Sequence, residues 1–128
     1  MLDPDWIAQL PVDQTTIDRL ARTRTVDLVT LGRRSGQLRR VEIWWFHFED
    51  RFIVTGTSGR RDWYANVLAD PNVAIETRYG DFPGLARVVT DPQFRQRFFT
   101  DRAAGWYSTQ SELTALVDTA PMIEVVLA

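Results

Sequence analysis

The sequence predicts an α+β fold: a mainly antiparallel sheet of about six strands closes into a barrel, with helices flanking it. Three observations predict this. Strand-like runs follow one another through short turns, so neighbours pair as hairpins. Several of these runs are apolar on both faces, so both faces call for cover. There is no βαβ alternation, which disfavours a doubly wound parallel sheet. The 128 residues are one domain's worth of chain. We read 1–128 as a single domain, with an N-terminal helical segment, 1–24, packed on the barrel.

The elements follow in order. Asp13 to Arg22 reads as a short helix, with Asp13 as N-cap and Ile17 and Leu20 on one face. Thr25 to Leu31 is a strand, rich in Val26, Leu28 and Val29. A loop over 32–38 turns the chain back. Arg39 to Glu49 reads as one long strand. Val41, Ile43, Trp45 and His47 lie on one face, and Glu42, Trp44, Phe46 and Phe48 on the other. Both faces are largely apolar, so both are expected to be covered. Glu49-Asp50-Arg51 is a tight hairpin turn, and Phe52 to Thr57 the third strand. Asp62 to Ala69 is a helix that Asp70-Pro71 ends. Strands over Val73 to Tyr79 and Phe82 to Thr90 flank a turn at Gly80. Asp91-Pro92 opens a helix in the preferred order, cap then proline, and it runs to about Asp101. Gly105-Trp106-Tyr107 interrupts, Ser108 to Val117 is a further helix, and Pro121 to Leu127 a closing strand.

Composition narrows the chemistry. With no cysteine, disulfides, iron–sulfur clusters and thiolate catalysis are excluded. A single histidine, His47, disfavours a histidine-based metal site or a Ser-His-Asp triad. No run approaches the roughly 20 apolar residues of a membrane-spanning helix. The first residues, Met1 to Asp5, are acidic where a signal peptide would be basic. A cytoplasmic protein is expected, with peripheral membrane contact left open. The formal net charge of −2 hides an asymmetry: residues 19–61 carry ten Arg against four acids, a net of +6. A nucleic-acid binder is more often basic overall, so a small anionic ligand is the better reading.

Two loops collect that charge. The first runs Gly32-Arg33-Arg34-Ser35-Gly36, followed by Arg39-Arg40. The second runs Thr55-Gly56-Thr57-Ser58-Gly59-Arg60-Arg61 and leads into Asp62-Trp63-Tyr64-Ala65-Asn66-Val67-Leu68-Ala69-Asp70-Pro71. Glycine lets backbone approach a ligand closely, and free amides with guanidinium groups hold phosphate oxygens. Two such loops point to one phosphate-bearing ligand.

On these motifs, and on Leu28 four residues before Gly32, the chain resembles the deazaflavin-dependent nitroreductase and quinone reductase family. That family belongs to the split β-barrel oxidoreductases related to pyridoxamine phosphate oxidase. The resemblance runs from about Thr25 to Val89. It implies a split β-barrel, coenzyme F-420 as cofactor, and hydride transfer from the reduced deazaflavin to an electron-poor acceptor: a quinone, a nitroaromatic or an activated enone. It implies that Arg33, Arg34, Ser35 and Gly36 grip the tail phosphate, with Arg39 near the tail; the family often has Lys where Arg34 stands. Thr55, Gly56, Thr57 and Ser58 match the strand end that hydrogen-bonds the ring. Arg60, Arg61, Trp63, Tyr64 and Asn66 match the second loop and its helix. No residue is assigned a catalytic role, since the cofactor carries the chemistry. Tyr107, beside Trp106, is the nearest candidate for one. A homodimer is expected, since split barrels commonly pair near the cofactor site.

Other readings stand beside this one. The same loops suit the single phosphate of FMN in a flavin-binding oxidoreductase. A non-catalytic flavin or haem carrier is the third reading, with His47 as the one available histidine ligand. Arg19, Arg22 and Arg24 read as a solvated face or a partner-facing one. Trp44, Trp45, Phe46 and Phe48 read as core or dimer interface, and Phe94, Phe98 and Phe99 as core. Trp63 and Tyr64 serve equally well as anchors of their helix.

Overall fold

The computed structural model describes residues 12–127. Within them the helices are α1 (Gln14–Ala21), α2 (Asp62–Ala69), α3 (Pro92–Thr100), α4 (Gly105–Gln110) and α5 (Leu113–Thr119). The strands are β1 (Thr25–Leu31), β2 (Leu38–Trp44), β3 (Phe46–Phe48), β4 (Arg51–Thr55), β5 (Asn72–Thr77), β6 (Gly80–Val88) and β7 (Met122–Leu127). They form one antiparallel sheet in the order β2-β1-β5-β6-β7-β4-β3. Of the N-terminal segment 1–24, residues 1–11 lie outside the described residues. α1 is capped by Asp13, whose carboxylate accepts from the Thr16 amide at 2.8 Å.

There are seven strands where about six were expected, because Arg39 to Glu49 is two strands. Trp45 parts them. Its amide donates to the Arg24 carbonyl at 2.8 Å and its indole N–H to the Leu20 carbonyl at 3.1 Å. Its ring stacks on Phe52 at 4.8 Å. These bonds draw the chain off β1 and hand it to β4. β2 and β3 are therefore the two outer strands of the sheet, yet one residue joins them. Adjacent Cα atoms sit about 3.8 Å apart, so the sheet has to curl until its edges meet. That is how the barrel closes.

Side chains on alternate faces fill two cores. Inside the curl are Val26, Leu28, Trp45, Val54, Ile75, Ile123 and Val125, with Leu20 from α1 and Trp63 from α2. Between the sheet and α3–α5 are Ile53, Phe94, Phe98, Phe99, Tyr107, Leu116 and Met122. Ile53 and Val54 on β4, and Met122 and Ile123 on β7, face opposite cores, so both faces of these strands are covered as expected. β2 departs from that expectation at its start, where Leu38 is 60% exposed on one face and Val41 37% on the other, while Ile43 and Trp44 at its end pack against the two cores.

The β3–β4 hairpin turns through Glu49 (φ 50°) and Asp50 (φ 60°), the left-handed pair of a type I′ turn. Arg97 pins Glu49 through two bonds of 2.9 and 3.0 Å. Those bonds hold the Glu49 carboxyl below the usual carboxylate range. Asp91 caps α3 ahead of Pro92 as expected. The last helices differ from expectation. Gly105 starts α4 where an interruption was expected, and the stretch Ser108 to Val117 is broken at Ser111, which is fully extended (φ −150°, ψ 155°). Seating Tyr107 and Leu116 in one core calls for that bend. Arg95 on α3 is 6% exposed. Its guanidinium donates to the carbonyls of Val89, Leu116, Val117 and Ala120.

Candidate functional site

The loop after β1 is built tightly. The Gly32 amide donates to the Gln37 carbonyl at 2.8 Å, and the Gly36 amide to the Gly32 carbonyl at 2.9 Å. Gly36 sits at φ 68°, a left-handed turn position that favours glycine. Gly32 is buried, and a Cβ there would stand 2.5 Å from Ser35 Oγ and 3.0 Å from the Gln37 carbonyl oxygen. A Gly32→Ala variant should therefore lose about 1–3 kcal/mol of stability, read from its urea midpoint. Adding Ser35→Gly should recover only part of that loss, because the Gln37 carbonyl stays in place.

Asn66 on α2 fastens this loop. Its side-chain oxygen accepts from the Arg33 amide at 3.2 Å and from Arg33 Nη1 at 2.8 Å. Its Nδ2 donates to Thr30 Oγ1 at 3.1 Å. Arg33 also pairs with Asp62 at 3.3 Å. Asn66 and Arg33 are thus a latch between β1, the loop and α2. Arg40 is engaged as well, in a bidentate pair with Glu76 at 2.7 and 3.3 Å.

Beside the latch lies a groove of about 540 Å³, lined by Thr30, Arg33, Arg34, Ser35, Arg39 and Asn66 among others. Arg34 and Arg39 have no carboxylate partner among the described residues. The groove therefore offers two uncommitted guanidinium groups over a glycine-rich backbone. An anionic, phosphate-bearing group fits this donor set.

A second groove, of about 390 Å³, adjoins the first and shares Val41 and Trp63 with it. Thr55, Gly56 and Thr57 form one wall; Trp44, Trp106 and Tyr107 form another. Trp44 meets Trp106 edge to face at 5.0 Å and Tyr107 at 5.8 Å. A flat aromatic ligand fits between such walls. Thr55 Oγ1 donates to the Pro121 carbonyl at 2.6 Å, so this side chain is already engaged. Arg61 folds back to donate to Thr57 through Nη2, at 3.0 Å to the carbonyl and 2.9 Å to Oγ1.

Tyr107 is 3% exposed. Its hydroxyl makes no hydrogen bond with the described residues, yet no buried side-chain polar atom among them is left unpaired. The hydroxyl therefore faces the open groove. Burial pushes it up to about 12, with the Arg61 charge pulling the other way. The unfolded phenol ionises near about 10. The stability that goes with keeping Tyr107 protonated is thus complete below that value and lost as the pH climbs from there through about 12. The urea midpoint should fall more steeply above about pH 10 in the wild type than in Tyr107→Phe.

The structure brings together most of the residues singled out in the sequence. Arg33, Arg34, Ser35, Arg39 and Asn66 line the first groove; Thr55, Gly56, Thr57, Arg61 and Tyr107 line the second; Trp63 stands between them. Four lie elsewhere. Gly36 shapes the loop turn at φ 68° but lines neither groove. Ser58 turns to α5, meeting Thr119 Oγ1 at 2.6 Å. Arg60 is exposed and lines neither groove, and Tyr64 packs against the inner core. Trp44 is the lining residue that sequence reasoning assigned to core or interface. The signal for it was Trp106-Tyr107, but the contact joins positions more than sixty residues apart.

A family model described as F-420H(2)-dependent quinone reductase matches residues 9–125 of this chain. Solved structures share its split barrel. One described as an F-420 reductase superposes with a TM-score of 0.62 at 20% identity, covering 91% of this chain and 96% of the other. An FAD-binding protein of Mesorhizobium loti does so at 0.63 and 13% identity, covering 93% and 92%. A third, described as a domain-swapped dimer, gives 0.61 at 20% identity, covering 94% and 97%. No match was found among curated proteins.

Proposed function

Because the chain belongs to the F-420H(2)-dependent quinone reductase family, and is therefore a reductase that uses coenzyme F-420, we propose that it reduces planar, electron-poor acceptors: quinones, nitroaromatics or activated enones. One observation carries this. An anion groove with two uncommitted arginines opens, past Val41 and Trp63, into an aromatic-walled groove. That is the pairing a flat ring with an anionic tail calls for.

The bound coenzyme supplies a hydride from its reduced ring. Arg34, Arg39 and Ser35 bind the charged tail. Arg33, held by Asn66 and Asp62, keeps the loop in shape. Gly56 leaves room for the Arg61 guanidinium, which lies over it and holds the Thr57 carbonyl, so a cation borders the ring site. Trp44, Trp63 and Trp106 exclude water and orient the acceptor. Tyr107 Oη keeps its proton over the whole working pH range, ready to donate a hydrogen bond or the proton itself to the reduced acceptor.

The working unit we propose is a homodimer. Leu38, 60% exposed on β2, supports a partner there. Residues 1–128 form one domain in this reading, with 1–24 on the barrel, which the buried Leu20 and its carbonyl's bond to Trp45 support. Among the described residues no helix is long and apolar enough to cross a membrane. The cytoplasm is the compartment we propose, without a nucleic-acid partner.

Titration of the apoprotein with F-420 and with FMN, followed by tryptophan fluorescence at low and high salt, tests the reading. Turnover of menadione, a simple quinone, completes it. Salt-sensitive binding of F-420 with quinone reduction is expected. Preferential FMN binding, or F-420 binding without turnover of any of the three acceptor classes, would sink the proposal.

A further inference from the structure

We propose that the acceptor carries an acidic group, and that this group docks in a third cleft lined by Arg22, Arg24 and Arg102. The inference rests on the reductase reading above and deepens it by naming a substrate class.

The cleft, about 480 Å³, lies between the C-terminal end of α1, the Trp45 bend and the turn that follows α3. It shares Trp44 and Trp106 with the aromatic groove. It shares no lining residue with the anion groove, which adjoins the aromatic groove through Val41 and Trp63. The aromatic groove thus has a basic compartment on each side: one past Val41 and Trp63, one past the Trp44–Trp106 pair. A coenzyme tail accounts for the first. The second is a separate basic compartment, and a molecule lying in the aromatic groove reaches it by extending past the two indoles.

Its charge calls for a ligand. Arg22, Arg24 and Arg102 all line the cleft, and no Asp or Glu does. None of the three pairs with a carboxylate among the described residues, although Arg33, Arg40 and Arg97 each do. Like charges gathered in one cleft repel, and a bound anion relieves that repulsion. The cleft's lining includes Trp44, Phe46 and Trp106, with the all but buried Trp45 and with Thr23 and His47 beside them. Of the three indoles that line it, Trp44, Trp45 and Trp106, Trp45 gives its N–H to the Leu20 carbonyl. Apolar walls with a basic end suit a flat body with an anionic terminus. Such a molecule is oriented as it binds, its acidic end at the arginines and its reducible end in the aromatic groove.

The test uses a 1,4-naphthoquinone bearing a propionate side chain, and its methyl ester. The two share a ring and differ in charge. The wild-type enzyme should prefer the acid by about tenfold in kcat/KM. An Arg22→Gln/Arg24→Gln/Arg102→Gln variant should bring that ratio to about one; because the ratio is taken within each variant, a general loss of activity cancels. Equal turnover of acid and ester by the wild type overturns the cleft assignment and leaves the reductase reading standing. So does a preference that survives in the variant. If neither compound is turned over, the same pair is titrated by tryptophan fluorescence. Preferential binding of the acid that the variant loses keeps the cleft and overturns the acceptor reading; no preference overturns both. Co-sedimentation with phosphatidylglycerol vesicles, lost in the variant and without acid preference, assigns the arginines to a lipid surface and overturns the proposal.

Discussion

An Arg34→Ala/Arg39→Ala variant should bind coenzyme F-420 about a hundredfold more weakly than the wild type, each lost charge-assisted contact contributing about tenfold. The prediction follows from which arginines are free. Around the anion groove, Arg33 is engaged by Asp62 and Asn66, and Arg40 by Glu76. The Glu76 bonds hold the Arg40 guanidinium above its ordinary value, so it is fully charged but already neutralised. Arg34 and Arg39 alone bring uncompensated charge to that groove. Arg40→Ala should therefore weaken binding by no more than about threefold, the modest effect of a surface pair. Raising the salt should weaken the wild type more than the double variant, since screening acts on the contacts the variant has lost. Fluorescence titration at two salt concentrations reads all of this. An unchanged Kd in the double variant would remove the tail from this groove.

Arg95→Met should lower stability by about 3–5 kcal/mol, the range for breaking a buried charged network. For a chain of this length that is about 10–20 °C in Tm. Met matches the apolar length of the side chain but donates no hydrogen bond. The carbonyls of Val89, Leu116, Val117 and Ala120 then lose their shared donor inside the protein. Two of the four, Leu116 and Val117, lie in the last turns of α5, where a cation also complements the helix dipole. Burial lowers the proton affinity of this guanidinium, yet an arginine stays charged in proteins. Arg95→Lys should recover only part of the loss, because an ammonium cannot spread its donors as a planar fork does. A Tm within about 3 °C of wild type for Arg95→Met would mean that water replaces the guanidinium.

Local signals made most of the fold legible. Asp13 and Asp91 cap their helices as their positions imply, and β1 has the limits its apolar run predicts. The anion groove was legible because its chemistry is compositional: glycine, serine and arginine adjacent in sequence become adjacent in space. What escaped depends on distant partners. The alternation from Arg39 to Glu49 runs unbroken through Trp45, and only carbonyls of Arg24 and Leu20 reveal the bend. Arginine is a surface residue by habit, so nothing local marks Arg95 as buried. Trp63 is at once part of the inner core and a wall of both grooves, while Tyr64, next to it, packs against that core and reaches neither groove. Trp44 packs against the second core, within the core reading; that it also lines a groove was hidden because its partner there comes from a helix near the other end of the chain.

The place of β7 in the sheet bears on how the chain is made. It lies between β6 and β4 and bonds to both, although it is the last of the described strands. Before it arrives, β2-β1-β5-β6 and the β4–β3 hairpin are separate sheets with no hydrogen-bonded seam between them. Residues 122–127 act as a keystone laid last. Until β7 pairs, the two half-sheets stay unjoined, and closure is set by long-range pairing. A deletion that removes residues 122–127 should leave the two half-sheets open to proteolysis.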